Sequence, residues 1–122
     1  MKRFSRLSFL LISVGLLDRA YAAEVTDTTP CSAMAAAMDS ENPMSIRPFT
    51  VYVLNAMDDF DTKHIQTGEP GIMAQMSDDG RYHLAATISV NCRDHPKMTV
   101  YNSAGLVYRG VREMELQFGT AK

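Results

Sequence analysis

Most of the residue patterns on which enzyme chemistry is commonly built are missing from this chain. There is no glycine-rich phosphate loop, no strand–Ser–helix nucleophile elbow and no paired-histidine zinc motif, which removes the commonest nucleotide, hydrolase and zinc-protease signatures. Only two cysteines and three histidines occur. No run of lysine and arginine exists to displace counterions from a nucleic acid or an anionic membrane. Beyond residue 22 no apolar run approaches the length of about 20 residues that spans a bilayer. Internal repeats and low-complexity tracts are also absent. The expectation is therefore a non-enzyme without metal or cofactor, without a nucleic-acid partner and without stable membrane insertion.

What is present begins with an export signal. Lys2, Arg3 and Arg6 make a positive n-region, and Leu7 to Leu17 an apolar stretch. Ala20-Tyr21-Ala22 then supplies the small-x-small pattern of a signal-peptidase site, leaving Ala23 as the new N-terminus; an uncleaved N-terminal anchor is the alternative. The domain map that follows is 1–22 signal peptide, 23–29 flexible arm, 30–118 single domain and 119–122 tail, with a periplasmic destination. Cleavage removes four of the twelve Lys/Arg and one of the fourteen Asp/Glu, so the net charge moves from −2 to −5. A domain of this size buries only about 60–70% of the surface its unfolded chain exposes, so a crosslink is a useful supplement.

Cys31 and Cys92 both fall in the exported part, and an even cysteine count in an oxidising compartment reads as a structural disulfide. Two sharper readings compete with it. Cys92 and His95 have the spacing of a nucleophile and its base, but the thiol would have to stay reduced after export. As a metal pair they lack a second matching pair, because neither His64 nor His83 has ligand spacing to them.

The hydrophobic spacing is mostly helical. Thr29-Pro30 has the form of an N-cap followed by proline at the first helical position, and the Ala- and Met-rich stretch Cys31 to Met38 is a strong helix former. Asp39 to Pro43 breaks it. A second start falls at Ser45 to Pro48. From there to His64, Phe49, Tyr52, Val53, Ala56, Met57 and Phe60 recur at three- and four-residue steps, although the β-branched Thr50, Val51 and Val53 also allow a short strand. Residues 72–76 form a turn or short helix. Ser77 to Gly80 caps another helix, with Tyr82, Ala85, Ala86, Ser89 and Cys92 on one stripe and Leu84 and Ile88 beside it. Pro96 opens the last helix, capped by Asp94 or His95 and carrying Met98, Tyr101, Ala104, Tyr108, Val111 and Met114. Gly105 and Gly110 oppose that helix by about 1 kcal/mol each relative to Ala, and strands over 97–101 and 106–111 are the alternative. The fold class expected is thus all-α, a small domain of four or so helices with one disulfide, and a β-rich C-terminal half is the alternative. Methionines such as Met34, Met38, Met57 and Met114 are assigned to apolar faces.

Two acidic groups deserve separate weighing. Asp58, Asp61 and His64 recur at three-residue steps, the convergence that a metal or acid–base site requires. The plainer reading is a set of solvated charges. Asp78-Asp79 fits the favourable place of carboxylates at a helix N-terminus.

The stretch Ile88 to Ala104, with its helix ending in Cys92, its short polar link, Pro96 and a following helix, resembles small exported helical proteins of the HdeA/HdeB kind. It also resembles the related immunity proteins against type VI secretion effectors. The upstream Cys31 and the aromatic-rich segment Phe49 to Phe60 complete the likeness, while the length of the Gln66 to Asp79 loop and the two glycines depart from it. The resemblance implies that Cys31 and Cys92 are the disulfide pair. It further implies a protein that is a folded dimer near neutrality and an ATP-independent acid-stress chaperone in acid. The alternative it carries is a binding module, such as an immunity protein that occludes one effector enzyme. Protonating thirteen carboxylates and three histidines would carry the mature chain from −5 to +11, a swing that favours loosening. Expression with export should give an intact mass that lacks residues 1–22; retention of those residues in the exported protein overturns the cleavage site.

Overall fold

A computed structural model describes residues 24–118, so the segment 1–22, expected to be a signal peptide, and the expected tail at 119–122 lie outside the described residues. Four α-helices make up the described domain: α1 (Cys31–Asp39), α2 (Pro43–Gln66), α3 (Asp78–Asp94) and α4 (Val100–Phe118), with a single 3-10 turn (Met73–Gln75) in the α2–α3 loop. The all-α reading holds. No strand occurs among the described residues, and the one β-bridge joins Pro30 to Thr99. Residues 97–118, where strands were the alternative, contain α4. None of the described helices is long and apolar enough to cross a membrane.

α1 packs chiefly on α3, and α2 packs chiefly on α4. The core lies between these pairs, built from Met34, Met57, Ile88, Val100 and Tyr108 among others. Burying each such side chain contributes about 1.5–3 kcal/mol. The disulfide joins Cys31, the first residue of α1, to Cys92 in the last turn of α3, with Cα atoms 4.6 Å apart.

Several helix starts differ from the sequence expectation, each for a local reason. Thr29 does not cap α1, because its hydroxyl accepts from Thr26 N at 2.9 Å. The first N–H groups of α1, which have no partner within the helix, instead find carbonyls across the fold: Cys31 N donates to Met98 O at 2.7 Å and Ser32 N to Pro96 O at 3.1 Å. Residues 24–29 are correspondingly not a loose arm. Thr29 O accepts from Val100 N at 2.9 Å, and Tyr52 donates its hydroxyl proton to Asp27 at 2.6 Å. α2 starts at Pro43, earlier than the Ser45–Pro48 signal, because Asn42 caps it by accepting from Met44 N at 3.0 Å. Pro48 therefore sits inside the helix, where its missing N–H deprives only the carbonyl of Met44.

α3 is capped as expected, Ser77 Oγ accepting from Gly80 N at 3.1 Å, with Asp78 and Asp79 in its first turn. Its buried face is Leu84, Ala85, Ile88 and Cys92, so the apolar stripe is rotated from the expected one and Tyr82 and Ala86 lie outside. Pro96 does not open α4. Residues 95–99 form the turn that caps α1, and Thr99 caps α4 by accepting from Asn102 N at 3.1 Å. Gly105 is buried in α4, where a Cβ would make ordinary contact with Arg109 Nη1 at 3.4 Å and the Phe60 ring at 3.8 Å, so packing there does not demand glycine. Met114, expected on an apolar face, is exposed.

The disulfide closes a loop with a sequence separation of 61, which in the chain-entropy model is worth about 4 kcal/mol. The Cys31→Ser/Cys92→Ser variant should accordingly lose about that much stability in urea unfolding. An unchanged midpoint would show that the backbone clamp at Met98 and Pro96 holds the α1–α3 corner without the crosslink.

Candidate functional site

The acidic triplet of α2 separates in the fold. Asp58 accepts a two-pronged contact from Arg81 of α3, at 3.0 and 2.8 Å. His64 Nδ1 lies 2.6 Å from Glu69 Oε1 in the loop. Asp61 faces inward and meets neither of them. Among the described residues no three His, Cys, Asp or Glu side chains are placed to hold a metal ion. Cys92 is bonded to Cys31 and so is no partner for His95, whose ring contacts the carbonyl of Asn91.

Asp61 is the centre of the most connected polar cluster in the domain. It follows Val53 and Met57 at four-residue steps, so the helical repeat points it into the core, where it is 4% exposed. A carboxylate at such a place needs its lone pairs filled. Tyr108 of α4 donates to Oδ1 at 2.7 Å. Ile72 N reaches both oxygens, at 2.9 and 3.1 Å, and Met73 N reaches Oδ2 at 3.0 Å. One side chain thus ties α2 to α4 and to the start of the 3-10 turn.

The surroundings complete the lock. Arg112, one turn beyond Tyr108 on α4, is buried and donates to Pro70 O at 2.6 Å, while its other nitrogen stands 4.0 Å from Glu69. The His64 ring stacks on Tyr108 with centroids 5.9 Å apart, and Phe60 lies against Tyr108 at 5.5 Å. Gly71 brings the loop backbone so near that a Cβ there would sit 2.6 Å from Asp61 Oδ2. Gly68, with φ of 86°, makes the left-handed turn out of α2 that directs the loop back over this face.

Burial by itself would raise the Asp61 pKa. The Tyr108 hydroxyl, the two amides and the Arg112 charge outweigh it and hold the carboxyl below its usual range. Tyr108 is pushed the other way, up to about 12, by burial and by its bond to Asp61. The bond to His64, with Arg112 nearby, lowers Glu69.

Chemically the cluster is a latch. Two of the donors around Asp61 are loop amides and the third ties α2 to α4, and the loop residues so held, Ile72 and Met73, are each 2% exposed. Sequence reasoning grouped Asp61 with Asp58 and His64 by spacing. It passed over Tyr108 as a polar partner, and over Arg112, Glu69 and Gly71. One signal was available: Asp61 shares a helical stripe with Val53 and Met57, and an acid on an apolar stripe calls for buried donors.

Asp61→Asn should cost about 3 kcal/mol at neutral pH, because it turns an amide N–H₂ toward amide donors that need an acceptor. The sign of the pH dependence follows from the lowered folded-state value: the stabilisation is complete above about pH 4 and is lost as pH falls through that lower value. Urea midpoints of the wild type and the Asn variant should therefore converge in strong acid; a gap that stays constant with pH overturns the assignment. Comparison with protein-family models, with curated proteins and with solved structures finds no match to this chain.

Proposed function

We propose that the exported chain is a non-enzymatic, ATP-independent holdase of the HdeA-like kind, which opens in strong acid and binds denaturing proteins in the periplasm. The observation that carries this reading is the Asp61 latch, in which one ionised carboxylate keeps the loop bearing Ile72 and Met73 closed over the core. Protonation replaces a charged acceptor of three donors with a neutral acid that brings a donor of its own. The amides of Ile72 and Met73 then lose their strongest partner, and apolar surface beneath the loop becomes available to clients.

Three further features fit the same use. The loss falls below the ordinary carboxylate range rather than in mild acid, so ordinary fluctuations near neutrality leave the domain closed. The charge swing of the mature chain to +11 keeps opened copies soluble and apart. The Cys31–Cys92 bond limits how far the opened chain can expand and leaves a closed loop to guide reclosure. Work outside the cytoplasm has no supply of ATP, and nothing in this cycle requires one. A folded homodimer is the neutral-pH storage form that the resemblance suggests.

An aggregation assay tests the proposal. The mature protein should suppress aggregation of an acid-labile client at about pH 2–3, where carboxylates are protonated, and should be inert at pH 7. Asp61→Asn should move the onset of suppression to higher pH. Failure to suppress aggregation at low pH overturns the proposal. Stoichiometric capture of one partner at neutral pH, with no acid activity, would replace it with the occluding binding module.

A further inference from the structure

The N-terminal half of α2 is the least covered part of the helix bundle. Arg47 and Val51, one turn apart, form a ridge between two open surface grooves of about 530 and 500 Å³. Val25, Met44 and Pro48 line the first groove, and Ile46, Leu54 and Tyr82 the second. Met44 is 80% exposed, Tyr82 58% and Val51 46%, so apolar side chains face water on both sides of the ridge. Arg47 itself is exposed and has neither an ion pair nor a side-chain hydrogen bond among the described residues. By contrast, Arg81, Arg93 and Arg112 are each paired with a carboxylate.

We infer that these grooves dock an acidic amphipathic helix of another protein, with apolar side chains straddling the Arg47–Val51 ridge and a carboxylate paired to Arg47. Charge and shape both select that occupant. Arg47 is the one charged residue lining the second groove; Glu24, the acid of the first, lines the other side of the ridge. An occupant's acid therefore meets Arg47 from the second groove. The lined stretch of α2 from Pro43 to Asn55 is about 18 Å long at 1.5 Å per residue, the length of three turns of a partner helix. Open grooves of this kind cannot enclose a small molecule on most sides, as ligand pockets do, whereas a helix laid in a groove needs only one apolar face covered. The docking surface lies at the other end of α2 from Asp61 and requires the folded state, so it stands or falls separately from acid opening.

The test is fluorescence anisotropy of the mature chain at pH 7 with a labelled designed helix, bearing leucines at three- and four-residue steps flanked by glutamates. A twin helix carries lysine in place of every glutamate. The glutamate helix should bind about tenfold more tightly than its twin. Arg47→Glu should reverse that preference, and Val51→Glu should abolish binding of both. Both positions are exposed, and circular dichroism confirms that each variant is folded. Equal affinity for the twins, no binding of either, or a preference that survives Arg47→Glu overturns the proposal. Sedimentation showing a dimer that Val51→Glu dissociates would assign the face to a second copy of this chain and overturn it equally.

Discussion

Asp61 must remain ionised inside a helical core, and much of the architecture around it follows from that requirement. A desolvated carboxylate without donors costs several kcal/mol, so the chain has to bring three donors to within about 3 Å of two oxygens. One comes from α4, as Tyr108, and two come from the backbone of the loop. Meeting that demand fixes the rotation of α4 about its axis, which also places Arg112 beneath Pro70. It fixes the path of the loop, which must carry glycine at position 71 to come so close. The same bonds that compensate the buried charge therefore seal Ile72 and Met73.

A second corner of the fold is held by different means. At the α1–α3 contact, the disulfide is backed by bonds from Cys31 N and Ser32 N to carbonyls of the 95–99 turn, and by Thr29 O accepting from Val100 N. None of these bonds involves a titratable group, so acid leaves them intact. Although the exposed Asp39–Arg93 ion pair also spans α1 and α3, that corner keeps a covalent and backbone tether, whereas the link between α2 and α4 at Asp61 runs through a carboxylate. Such a division lets one part of the core open while the chain stays tethered, which is the physical content of the holdase proposal.

Much of the secondary structure was legible in the residues. The Ala- and Met-rich stretch from Cys31, the three- and four-residue spacing from Phe49 to Phe60 and the Ser77 cap all report local preferences that the fold respects. Boundaries were less legible where a local signal had a tertiary competitor. Thr29 and Pro96 both look like helix starters, yet the former closes a turn and the carbonyl of the latter accepts from Ser32 N of α1. The α3 stripe was misread by a small rotation, since small residues such as Ala85, Ala86 and Ser89 do not distinguish an inner from an outer face. The site was the least legible feature: three-residue spacing joined Asp61 to Asp58 and His64, while its actual partners lie 11 to 47 residues away.

By itself, the sequence determined the all-α class and the pairing of the only two cysteines, because composition, cysteine count and helical periodicity need no knowledge of the packed fold. Only the tertiary structure decided which groups would satisfy the Asp61 carboxylate, where α1 and α4 begin, and which apolar residues were left facing water on α2. Those outcomes depend on which backbone donors and side chains remain unpaired once the helices have packed, and that is settled between distant segments rather than within any one of them.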